Sequence, residues 1–259
     1  FSPATTKFMK GFFIHAVKRE EKNTMVPEKR KERRSNSKYI NQIFKDGSIL
    51  LDENKVDIKK ARAVFEYLKE NNITHLEKVS IINSPPISRL SNYSNSIKSI
   101  GTLIIENNAD TFKLYNLFNG LRKVKKVIIK DGRAHSVPRL FSHLGNLESV
   151  EEVVLPDKAG RFMRELFSGC SSLVKAPKMD LSNTISLENT FINCNSLTSL
   201  PSYVVSKVSD ITGNTFNTSS LKKLDMSNPN AWKFSALPKG YEFFYFKYSP
   251  LDEATRKEL

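Results

Sequence analysis

Four phenylalanines, Phe141, Phe167, Phe191 and Phe216, each open a similar phrase: FSHLGNL, FSGCSSL, FINCNSL and FNTSSL. They stand 26, 24 and 25 residues apart, and each phrase closes on a leucine: Leu147, Leu173, Leu197 and Leu221. This fixed period constrains the fold more than composition does. A unit so short cannot bury its own apolar face, so it must stack on copies of itself, and the stack is a solenoid. A solenoid presents an extended surface, which favours binding over a catalytic pocket.

A second pattern runs alongside the first. Leu76/Val79/Ile81, Ile100/Leu103/Ile105, Val124/Val127/Ile129, Val150/Val153/Leu155 and Leu221/Leu224/Met226 all fit LxxLxL, the strand wording of leucine-rich repeats. Alternation along a strand puts Val127 and Ile129 inward, and Lys126, Ile128 and Lys130 outward on a concave sheet. Asn108 falls at the asparagine position of LxxLxLxxN. Residues 174–201 lose the strand pattern and carry Pro177 and Pro201, so strands there should be short. Residues 112–118, 137–141 and 162–167 have helix-like apolar spacing on the opposite side, with Pro138 at a helix-start position. Ahead of the repeats, residues 57–71 read as a helix with Asp57 as N-cap and Ile58, Ala61, Val64, Phe65 and Leu68 on one face. An open array must cover its first apolar layer, and this helix is the natural cover. The predicted fold class is an α/β solenoid of irregular leucine-rich repeats of 24–26 residues, with an N-terminal helical cap and an aromatic C-terminal cap. Its parts are a basic, largely extended arm (1–38), the helical cap (39–75), the solenoid (76–226) and the C-terminal cap (227–259), which ends in a helix near 250–259.

The phrases FSGCSSL, FINCNSL and SLTSLP resemble the irregular leucine-rich repeats of BspA-like bacterial surface proteins, over about residues 137–226. The resemblance implies a fold and carries no functional residue with it. The layout, a short basic chain with a helical cap and a few repeats, is also similar to small mitochondrial leucine-rich-repeat assembly factors.

Charge narrows the class of partner. The chain has 41 Lys/Arg and 27 Asp/Glu, a net charge of +14. Residues 1–45 hold 12 Lys/Arg and 4 Asp/Glu, and residues 122–139 hold 7 Lys/Arg and 1 Asp. These two segments contribute +8 and +6, so the rest of the chain is neutral on balance. Localised positive charge is the footprint of a polyanionic or acidic partner. The candidate contacts are Lys29, Arg30, Lys31, Arg33 and Arg34 in the arm, with Arg122, Lys123, Lys125, Lys126, Lys130 and Arg133 in one repeat. The competing account of such a run is a solvated face. The arm also carries Phe8, Met9, Phe12, Phe13, Ile14 and Val17 at helical spacing, an apolar patch suited to docking.

Nothing in the sequence spells catalysis. It has no P-loop, G-x-G-x-x-G, H-E-x-x-H or C-x-x-C, and His15, His75, His135 and His143 are dispersed. The expectation is therefore no enzyme, no cofactor and no metal. Cys170 and Cys194 occupy equivalent places in successive phrases and read as buried free thiols; a disulfide between stacked turns is the alternative. No apolar run approaches the roughly 18 residues of a membrane span. Phe1 precedes a basic segment, which fits a cleaved organellar leader. The reading is a non-enzymatic scaffold that docks on protein partners in a larger assembly, a ribonucleoprotein with RNA contact among them, in an intracellular or mitochondrial-type matrix setting. The alternative is a secreted or surface-exposed bacterial protein that binds host protein or glycan.

Overall fold

The structure, a computed structural model, describes residues 40–41, 43–52, 54–83, 90–107, 113–130, 139–155, 162–210, 215–216, 220–241 and 246–259. The arm over 1–38 and Asn108 lie outside them.

Strand β1 (Phe44–Lys45) turns through Asp46-Gly47 and pairs antiparallel with β2 (Ser48–Asp52). From β2 onward every pairing is parallel: β3 (His75–Ile82), β4 (Ser99–Glu106), β5 (Lys123–Lys130) and β6 (Ser149–Val154) stack in chain order to complete a six-stranded sheet. Beyond β6 the rungs continue as single bridges, Ser149 to Lys175 and Lys175 to Ser199, and then as the two-residue strands β7 (Ser199–Leu200) and β8 (Lys223–Leu224). The short strands expected over 174–201 are present. Pro177 and Pro201 cannot donate a ladder hydrogen bond, and that limits pairing there.

The LxxLxL positions point inward as predicted. Leu76, Ile100, Val124 and Val150 form one buried column across the rungs, and Val79, Leu103, Val127 and Val153 form a second. Ile81, Ile105 and Ile129 form a third.

Helix α1 (Ile58–Glu70) starts where Asp57 accepts a hydrogen bond from the Lys60 amide at 2.9 Å, and it buries Ala61, Val64, Phe65 and Leu68. It is the connection between β2 and β3, and the sheet extends past it by the β1–β2 hairpin. The sequence reading missed that hairpin because SILLD is only five residues long and lacks the repeat's spacing. Single helical turns α2 (Ser91–Ser94) and α3 (Tyr115–Phe118) back the next two rungs. The helices expected over 137–141 and 162–167 are not formed in the described residues. Residues 163–169 instead make turns whose amides bond to the next rung: Met163 to Ser186, Glu165 to Glu188, Phe167 to Thr190 and Gly169 to Ile192, at 2.8–3.0 Å. Glu165 (φ 51°) and Gly169 (φ 74°) sit in the left-handed region, which a helix does not allow.

The repeating phenylalanines stack face to face behind the sheet. Phe141 and Phe167 are 5.0 Å apart, Phe167 and Phe191 5.5 Å, Phe191 and Phe216 6.1 Å, and Phe216 and Phe246 5.1 Å. Trp232 closes the end edge-on to Phe216 and Phe246. Cys170 and Cys194 are both free and buried, and each donates its S–H to the phenylalanine carbonyl one rung back, Phe141 and Phe167. Burial pushes the Cys170 thiol well up and the Cys194 thiol up to about 12, so both are inert small apolar groups. Helix α4 (Glu253–Glu258), capped by Asp252, ends the chain. At the other end a polar ladder crosses three rungs: Asn107 donates to Asn83 (2.6 Å), which donates to Asp52 (3.1 Å). Asn107 precedes the asparagine of the LxxLxLxxN wording, Asn108, which lies outside the described residues. Asn83 (φ 61°) and Asn107 (φ 53°) both take the left-handed turn that asparagine tolerates.

Candidate binding face

The side of the sheet turned away from the core is organised in columns, because parallel in-register pairing puts equivalent positions of successive rungs beside one another, about 4.8 Å apart. One column reads Ser99, Lys123, Ser149, Lys175, Ser199, Lys223, and every adjacent pair in it is in register. The lysines are exposed and sit on alternate rungs, roughly 10 Å apart. At that distance salt already screens much of their mutual repulsion. His75 stands one rung ahead of Ser99, and its Nδ1 lies 2.8 Å from the Ser99 hydroxyl. A second column reads Ser48, Lys78, Thr102, Lys126, Glu152, Lys178. A third reads Leu50, Ser80, Ile104, Ile128, Val154.

These columns sort the predicted contact residues into two groups. Arg122 pairs with Glu148 at 3.0 Å, Lys126 with Glu152 at 3.0 Å and Lys130 with Glu106 at 3.7 Å. Each partner lies one rung away, 24 or 26 residues distant in sequence, so the charge run is half neutralised by a neighbour it cannot see along the chain. Arg139–Glu165 (3.0 Å) and Arg164–Glu188 (2.7 Å) repeat the device on the opposite side. Such exposed pairs each contribute only about 0–1 kcal/mol; their larger effect is on the net field. Lys123 and Lys125 remain exposed with no carboxylate at ion-pair distance among the described residues. Lys125 shares its row with the acidic Glu77 and Glu151. Lys29, Arg30, Lys31, Arg33, Arg34 and Arg133 lie outside the described residues.

Lys78, Lys175, Lys178 and Lys223 are exposed on the same face and were missed from sequence. They are dispersed singly along the chain and become neighbours only when the repeats are laid one on another at their period. Lys223 also helps hold Asp252 deprotonated, after the hydrogen bonds from Thr255 that dominate there. The face is therefore cationic over β5 to β8, and over β2 to β6 it carries an aliphatic column that includes Ile104, Ile128 and the exposed Val154.

Among the described residues, no three His, Cys, Asp or Glu side chains are grouped so as to hold a metal ion, and no helix is long and apolar enough to cross a membrane. The chain matches no protein-family model, no curated protein and no solved structure.

Proposed function

We propose that this solenoid is a non-enzymatic, leucine-rich-repeat-like binding module that docks on an anionic macromolecular partner through the outer face of its sheet. The observation that carries the reading is the column of Lys123, Lys175 and Lys223, held in register on alternate rungs with no carboxylate salt-bridged to any of the three among the described residues. Successive parallel rungs set the backbone spacing of these charges, Lys123 in the six-stranded sheet and Lys175 and Lys223 in the bridges and short strands beyond it, so the backbone needs no rearrangement to align them. An acidic region of a protein assembly and the phosphates of a ribonucleoprotein both belong to the class such a column accepts.

The test replaces Lys123, Lys175 and Lys223 together by serine, the residue that already fills the intervening rungs. Binding to labelled poly-L-glutamate and to labelled poly(U) is followed by anisotropy at 50 and 200 mM salt. The expected result is salt-sensitive binding by the parent chain, weakened at least tenfold in the triple variant, with an unchanged unfolding midpoint. Equal binding by parent and variant overturns the assignment. Lys126 and Lys130 are unsuitable for charge reversal, because glutamate there would face Glu152 and Glu106 and confound binding with folding.

A further inference from the structure

We infer that the partner taken by this face is a polypeptide segment bearing both acidic and aliphatic side chains, rather than a nucleic acid. The inference rests on the lysine-column reading and adds to it the neighbouring column. Leu50, Ile104, Ile128 and Val154 stand on the outer side of the sheet, where alternation normally places polar residues. Ile104, Ile128 and Val154 occupy three consecutive rungs, and Val154 is 37% exposed. Phosphates gain nothing from such a strip, and bases gain most from aromatic platforms. Every described residue of the lysine and aliphatic columns is non-aromatic apart from His75 at the leading edge. A polypeptide can use both columns at once, with aliphatic side chains over β4 to β6 and carboxylates over β5 to β8. The two columns overlap on β5 and β6, at Lys123 with Ile128 and at Ser149 with Val154. From Lys123 to Lys223 the lysine column crosses four rung spacings, about 19 Å, which an extended peptide covers in about six residues.

The experiment compares three labelled probes on the full chain: a 12-residue peptide alternating glutamate and leucine, an oligo-glutamate of equal charge, and oligo(U) of equal charge. The alternating peptide should bind about tenfold tighter than oligo-glutamate, the order expected from covering one aliphatic side chain. Ile128→Thr with Val154→Thr should abolish that preference and leave oligo-glutamate binding and the unfolding midpoint unchanged. If the three probes bind alike and the double threonine variant changes nothing, the polypeptide inference is wrong while the lysine reading stands. If oligo(U) binds tightest, the face belongs to nucleic acid and the inference is likewise overturned. If no probe shows binding that depends on Lys123, Lys175 and Lys223, the proposed function itself fails. A dimer that dissociates on Ile128→Thr with Val154→Thr would assign the aliphatic column to a second copy of this chain and overturn the inference.

Discussion

Replacing Phe167 by alanine tests whether the phenylalanine column is one cooperative unit. Phe167 is fully buried and stacks on both neighbours, Phe141 at 5.0 Å and Phe191 at 5.5 Å, with interplanar angles of 4° and 3°. Truncating a buried phenylalanine costs about 3–5 kcal/mol. Two stacked partners, each worth about 0.5–1.5 kcal/mol beyond area burial, place this site in the upper part of that range, about 4–5 kcal/mol. Phe167→Leu keeps most of the apolar volume and loses both stacked contacts, so it should cost about 1–3 kcal/mol. The difference between the two variants then separates cavity from stacking. Urea unfolding would be followed by far-UV circular dichroism and by the fluorescence of Trp232. Trp232 is the single tryptophan and lies 5.6 Å from Phe216, two places down the column. A cooperative column shifts both signals to the same lower midpoint with unchanged slope. A loss below 1 kcal/mol, or a dichroism midpoint that moves while Trp232 stays put, would refute the idea that the column transmits stability between rungs.

Two further outcomes follow from the interior. Asn83→Ala loses the ladder to Asp52 and Asn107 and places a Cβ-bearing residue at φ 61°, whereas Asn83→Gly loses only the ladder. In urea titrations alanine should therefore be the worse substitution by about 1 kcal/mol. Burial raises the Cys194 thiol to about 12, above the unfolded value near 8.5. Its contribution to stability is complete below the unfolded value and is lost as pH rises through the folded one. Cys194→Ala should thus flatten the fall in unfolding midpoint between about pH 9 and 11, and an unchanged slope would remove the thiol from the account.

Much of the fold was written in short-range spacing. LxxLxL marks the inward columns, and FxxxxxL, shortened by one residue at Phe216, marks four of the five stacked phenylalanines, because each residue's environment repeats once per rung. The turns that follow the strands were less legible. Met163, Leu166 and Phe167 have helical spacing, yet their backbone amides find partners on the next rung, and no spacing within one repeat reveals that competition. The site was half legible for the same reason. The run from Arg122 to Lys130 stands out along the chain, but Glu106, Glu148 and Glu152, which neutralise three of its cations, belong to other rungs. Lys175 and Lys223, each isolated in sequence, join Lys123 only through register.

The alternation of lysine and serine has a consequence for how the chain finds its register. Similar phrases invite a rung to pair with the wrong copy of itself. If β5 skipped β6 and paired with the following rung, Lys123 would face Lys175 and Lys126 would face Lys178, so like charges would meet where serine and glutamate now stand. Skipping the next rung would set Lys175 against Lys223 in the same way. The charge pattern thus disfavours these pairings that leave out a rung, because they would set like charges directly opposite one another.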